Sequence, residues 1–150
     1  MHATETLQNF LDFMGEAVMS ERFEAYLTGV RLPLNIITSA ANLKVETVED
    51  LVEGFDDFCD MIQSQGVSDM VRTVMEARFE ADDLIVGIYE TRLLNGDRPV
   101  VPTFYSKIWL ERHSGVWQAS KIHNTTYNAR WPILIHQVEA AHRPPKEFLN

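Results

Sequence analysis

Residues 70–128, MVRTVMEARFEADDLIVGIYETRLLNGDRPVVPTFYSKIWLERHSGVWQASKIHNTTYN, decide the fold of this chain. Long runs rich in β-branched and aromatic residues are broken at Asp82-Asp83, Asn95-Gly96 and Ser114-Gly115. Asn-Gly is a strong hairpin signal, because both residues tolerate positive φ. The pattern predicts strands over Met70–Ala81, Leu84–Leu94, Val101–Arg112 and Val116–Asn128 in an up-and-down antiparallel meander. Strands of that length twist, and the twist curls the sheet into a half-barrel. Its concave face needs covering.

The preceding residues supply the cover. Thr4 or Thr6 caps a first helix in which Leu7, Phe10, Leu11, Met14 and Val18 recur at helical spacing, widened by Phe13 and Ala17. Ser20 marks a kink or fresh cap, and Phe23, Tyr26 and Leu27 continue the apolar side to Gly29. Val30–Ser39 reads as a strand, but Pro33 cannot donate to a ladder, so it lies on an edge or starts after a bulge. Ala40–Glu46 reads as connecting sequence. A second helix opens on the Thr47/Asp50 cap, carries Val48, Leu51, Val52, Phe55, Phe58, Cys59 and Ile62 as its apolar stripe, and stops at Gly66. Residues 1–128 therefore form one α+β domain, a curved antiparallel sheet wrapped around N-terminal helices. Residues 129–150 form an appendage, in which Pro132 opens a short helix with Ile133, Leu134, Val138 and Ala141 on its apolar side. It covers a rim or reaches a partner subunit.

A net charge of −9 and the lack of any Lys/Arg cluster exclude a phosphate-backbone surface, so no nucleic acid is expected. The single Cys59 excludes an intrachain disulfide and a thiolate zinc cage, and its place on an apolar stripe marks a small core side chain. The acidic, polar start is not a signal peptide, and no window approaches a membrane span of ~20 apolar residues. A cytoplasmic protein with no membrane partner is expected. The carboxylates Glu49, Glu53, Asp56, Asp57 and Asp60 contain no histidine among them and read as a solvated helix face. His2 and His113 sit at a chain end and a turn, and His136 and His142 would point to different sides of a helix. No metal and no cofactor are expected.

The last hairpin carries a resemblance. Gly115-Val116-Trp117, with His123 and then Thr125, is similar to the G-x-W…H-x-S/T ending of SnoaL-like members of the nuclear-transport-factor-2-like superfamily. With the two helices and the meander, the resemblance spans about Leu7–Asn128. It implies a cone-shaped, cystatin-like half-barrel whose cavity opens at one end, and pairing into dimers through the outer sheet face. Members include ketosteroid isomerases, epoxide hydrolases, dehydratases and polyketide cyclases, beside proteins that only bind or dimerise. The Asp-Arg-Asp set of the hydrolases is absent from the strand positions. Tyr26 can stand at the helix-borne tyrosine of an isomerase, but no Asp falls on the inner strand faces to complete the site.

Alternation sorts the two faces, if the hairpins turn on two residues each. Phe79 then opposes Val86, Ala77 opposes Ile88, Leu110 opposes Ala119 and Ser106 opposes His123. The inner face becomes Met75, Ala77, Phe79, Val86, Ile88, Phe104, Ile108, Leu110 and Ala119, met by Phe10, Met14, Phe55 and Phe58 from the helices. The outer face carries Tyr89, Tyr105, Trp109 and Ile122, the expected homodimer surface, with Arg72 and Asn124 beside them. Glu90 and His123 fall inside as candidate acid and base. Tyr26, Thr73, Arg92, Phe104, Ser106, Lys121 and Thr125 become candidate substrate-binding residues. Two readings follow: a domain of unassigned activity that binds a small, largely apolar molecule, or a cofactor-free acid–base enzyme of isomerase, dehydratase, hydrolase or cyclase type.

Overall fold

The computed structural model describes residues 2–126, 128, 131–132 and 141–149. Helix α1 spans Ala3–Met19 and α2 spans Phe23–Thr28. The break expected at Ser20 is real: Glu21 takes φ 54°, which no helix accommodates. The cap position of α1 is His2 rather than Thr4 or Thr6, and it makes no side-chain cap bond. Leu7, Leu11, Met14, Ala17 and Val18 are buried, while Phe13 turns out to solvent instead of widening the stripe.

Strand β1 (Val30–Ile37) and β2 (Asn42–Val45) form a hairpin where connecting sequence was expected after residue 39. Pro33 falls in the register shift between Val30 and Asn35, so β1 tolerates it at a bulge and not at an edge. Helix α3 runs Val48–Ser64, with the Thr47 hydroxyl accepting the Asp50 N–H at 3.1 Å, and Val48, expected on the apolar stripe, is exposed in its first turn. Gly66, at φ 73°, ends the helical segment by a turn only glycine enters freely. Cys59 is buried on this helix, donates to the Val18 carbonyl at 3.5 Å and has its thiol pushed up to about 11, chiefly by burial.

The sheet continues with β3 (Asp69–Ala81), β4 (Leu84–Asn95), the short β5 (Arg98–Pro99), β6 (Phe104–His113) and β7 (Val116–Asn124). The strand order is β2-β1-β7-β6-β4-β3, with β5 on β4; β1 meets β7 in parallel and the other neighbours are antiparallel. Leu7, Leu11 and Met14 of α1, Leu51 of α3, Leu34 and Ile36 of β1, and Ile85, Ile108 and Leu110 of the sheet share one core. Each such side chain contributes about 1.5–3 kcal/mol by leaving water. Gln8 covers the free edge of β3, donating to the Arg72 carbonyl at 2.7 Å and accepting the Val74 N–H at 2.9 Å. An unpaired strand edge is thereby satisfied by a helix side chain.

Three bulges control which side chains face the core. Met75 and Glu80 in β3, and Ser120 in β7, have no cross-strand partner. Phe79 therefore opposes Ile85, Ala77 opposes Gly87 and Thr73 opposes Glu90. Leu110 opposes Ala119 as expected, but past Ser120 the register moves, so Ser106 meets Asn124 and Lys107 meets His123. Simple alternation would pair Leu94 with Val100 and set Ser106 beside Ile88, but Leu94 pairs with Pro99 and Ser106 lies beside Tyr89. A one-residue slip moves a side chain to the opposite face. Val86, Ile88, Glu90 and Arg92 consequently leave the inner face, as do Thr73, Met75, Lys121 and His123. Arg72, Tyr89, Ile122 and Asn124 replace them.

After β7 the chain reaches both sides of the sheet. Trp131 packs with the inner core, and Phe148, in a 3₁₀ helix over Lys146–Leu149, packs on Ile88 and Tyr105 of the outer face. The helix expected from Ile133, Leu134 and Val138, and His136 with it, lies outside the described residues. Among the described residues no helix is long and apolar enough to cross a membrane.

Candidate functional site

The concave face encloses a cavity of about 140 Å³ between the helices and the sheet. Val18 of α1, Tyr26 of α2, and Phe55 and Phe58 of α3 wall one side. Leu34 and Ile36 of β1, Leu93 of β4, Phe104 of β6 and Ile122 of β7 continue the apolar wall. Trp131 completes it: its indole N–H donates to the Asp50 carbonyl at 3.0 Å, and the ring lies on Gly54 of α3. A Cβ at residue 54 would stand 1.6 Å from the indole nitrogen, so glycine there is what admits the ring.

Polar groups occupy the sheet side: Arg72 on β3, Tyr89 and Thr91 on β4, Ser106 on β6 and Asn124 on β7. Tyr26 packs against Phe55 with ring centroids 4.9 Å apart and planes tilted by 46°, and burial pushes its phenol up to about 12 despite the nearby Arg72 charge. Tyr26 is therefore a neutral hydrogen-bond donor at physiological pH. The Asn124 side-chain oxygen accepts the Thr126 hydroxyl at 2.7 Å, which leaves its amide N–H groups for the cavity. Every buried side-chain polar atom among the described residues has a partner. Neither Ser106 nor Thr91 bonds another described group through its side chain, so both hydroxyls are wetted by the cavity.

Of the residues expected in the site, Tyr26, Phe104 and Ser106 are brought together here. The others are not. Glu90 lies on the outer face, 3.8 Å from the largely exposed Arg92, and Thr73 opposite it is exposed. Lys121 sits 4.5 Å above the Trp109 ring, outside the cone. Thr125 is structural: its hydroxyl accepts the Tyr105 N–H at 3.1 Å, and its own N–H donates to the Tyr105 carbonyl at 3.1 Å. The expected pairing surface is divided as well. Tyr89 and Ile122 line the cavity, Tyr105 lies beneath Phe148, and only Trp109 keeps part of its ring open on the outer face.

His123 packs edge-on against Phe148, with ring centroids 4.7 Å apart. Burial lowers its pKa below the ordinary 6.5; the Glu147 carboxylate opposes this, and Lys121 and Lys107 add to it. An imidazole held neutral in the fold takes up its proton more readily when unfolded. Its contribution is complete above the ordinary histidine range and is lost as pH falls from about 6.5 toward the lowered folded value. Urea midpoints across that window are expected to fall less steeply in His123→Gln than in the unaltered chain. Equal slopes would show that the outer-face packing does not hold the imidazole neutral.

Arg72, Tyr89, Ile122 and Asn124 are the cavity residues that alternation placed outside, and Thr91 is one it left unassigned. Gly87 is the signal that could have found them. A Cβ there would stand 2.4 Å from Leu7 Cδ2 and 3.1 Å from the Glu76 carbonyl, so glycine marks where helix and bulged strand press on β4. Glycine on the helix side puts Ile85, Tyr89, Thr91 and Leu93 there too.

Set against known proteins, this architecture has many counterparts among solved structures. An NTF2-like protein of unknown function from Shewanella oneidensis superposes with a TM-score of 0.64 at 14% identity, over 81% of this chain and 98% of that one. The chain has a nuclear-transport-factor-2-like fold. An NTF2-like protein of unknown function from Pseudomonas putida matches with a TM-score of 0.61 at 13% identity, over 92% of each chain. A protein of the NTF2-like family from Streptomyces avermitilis, described as a candidate dehydratase, matches with a TM-score of 0.59 at 11% identity, over 81% of this chain and 94% of that one. No family model matches the sequence, and no curated protein does. At such identities the likeness carries the NTF2-like fold alone.

Proposed function

We propose that this protein binds a small, largely apolar molecule inside its NTF2-like cone and performs no acid–base chemistry on it. The observation that carries this reading is the composition of the cavity wall. Apolar side chains surround a volume near that of a cavity that takes up benzene, about 150 Å³. The polar groups gather on one side, as in sites that orient a ligand.

The enzyme reading has less support. Proton transfer at neutral pH needs a carboxylate or imidazole within hydrogen-bond reach of the reacting atom. No Asp, Glu or His is among the described residues lining the cavity. The fold shared with the Streptomyces avermitilis protein supplies no such residue. Tyr26, with its phenol pushed up to about 12, donates hydrogen bonds but does not accept a proton near neutrality.

Native mass spectrometry of freshly purified protein tests the reading, and Phe104→Ala places the ligand. Phe104 is only half buried and faces the cavity, so its truncation is expected to cost well under the ~3–5 kcal/mol of a packed phenylalanine. The variant is expected to change ligand uptake. A full core-sized loss with unchanged uptake would mark a filled core in place of a binding site.

A further inference from the structure

We propose that the ligand of this cavity carries a carboxylate, or a like anionic group, and that Arg72 is the residue that selects it. The proposal rests on the small-molecule reading above and adds the chemical class of the ligand.

Arg72 sits on the inner face of β3, partly buried under α1. Its guanidinium passes under Gly15, where a Cβ would stand 3.3 Å from Nη2. Among the described residues, the one acceptor it reaches is the Leu11 carbonyl at 3.5 Å, the outer limit of a hydrogen bond. Among the described residues no carboxylate lies within ion-pair distance of it. A guanidinium offers five donors and stays charged at any physiological pH. Taking such a cation out of water without a counter-charge is costly, and proteins normally supply the partner themselves. Here 22 acidic residues outnumber 13 basic ones, yet none of those described turns inward to meet Arg72.

The groups that share the wall with Arg72 fit the same ligand. Tyr26 donates through its hydroxyl and Asn124 through its amide nitrogen, while Ser106 can donate or accept. A wall of donors around one cation, with no competing carboxylate among the described residues, matches an acceptor-only headgroup. The apolar remainder and the cavity volume suit a body the size of a single ring or a short branched chain. A small aromatic or aliphatic carboxylic acid satisfies both requirements.

Matched probes test this on the unaltered protein. Benzoate and benzamide share size and shape and differ in charge, and both can be titrated by calorimetry while the Trp131 indole N–H is followed by NMR. Benzoate is expected to bind at least about tenfold more tightly, the preference that a charge-assisted hydrogen bond confers. Arg72→Met, of similar length without charge, is expected to remove that preference, weakening benzoate far more than benzamide. Arg72→Lys is expected to retain part of it. If benzamide binds unaltered protein as well as benzoate does, or if Arg72→Met keeps the preference, the anion assignment is overturned and the cavity reading stands. If neither probe, nor a panel of neutral single-ring molecules, shifts the Trp131 signal, the cavity reading falls and the assignment falls with it. The comparison of the two probes on unaltered protein decides the question even where a variant fails to fold.

Discussion

Replacing Leu7 by alanine is expected to lower the unfolding free energy by about 3–5 kcal/mol, the loss for a leucine in a core that cannot collapse. Leu7 is 0% exposed and sits where α1 crosses the sheet. Its Cδ2 occupies the space that Gly87 leaves by having no side chain. Backbone cannot close over the vacancy, because the Glu76 carbonyl of the bulged β3 already approaches Gly87 from the neighbouring strand. The urea midpoint should fall while the dependence on denaturant concentration stays the same, as for a change in stability without a change in cooperativity. A loss below about 1 kcal/mol would mean that α1 is not seated on the sheet as described.

Gly54→Val is expected to have the second large effect, with two readouts. The valine would occupy the space of the Trp131 indole, whose nitrogen lies 1.6 Å from a Cβ at that position. The ring must leave, and its bond to the Asp50 carbonyl goes with it. Overpacking of this kind costs about 1–3 kcal/mol. In a background carrying Trp109→Phe and Trp117→Phe, the remaining emission should shift toward that of a hydrated indole, and ligand affinity should drop as the wall opens. Unchanged emission would show that Trp131 does not rest on α3.

Much of the fold was legible because its signals are local. The Thr47 cap, the apolar spacing of α3, the helix break near Ser20 and the glycine turns each depend on neighbouring residues, and each is found in place. The α+β class followed from counting strands and helices. The site was legible only in part, since its faces depend on register, and register depends on every residue between two strands. Tyr26 was found from a helix, where no register enters. Phe104 and Ser106 were placed inside by pairing each with a residue of β4 that lies outside, so their true partners are Thr91 and Tyr89. Glu90 and His123 were lost to β6 pairing one residue away from the expected position and to the Ser120 bulge. No propensity marks Met75, Glu80 or Ser120 as unpaired. The bulge at Met75–Glu76 answers to the closeness of Gly87, a contact between strands that no single-strand pattern contains.

Ser120 behaves as a phase marker for the last strand. Up to Ala119 the strand is in one frame, and from Lys121 onward it is in the other. Inserting a single residue after Ser120, with the bulge kept, would move every later residue on by one and produce the frame in which Ser106 meets His123. An imidazole would then point into the cone, and Ile122 and Asn124 would turn toward solvent. The chemical vocabulary of the cavity is thus encoded in length as well as in residue identity. A cone of this kind can gain or lose a proton-transfer group by a one-codon insertion or deletion, with no substitution at the position that would do the chemistry.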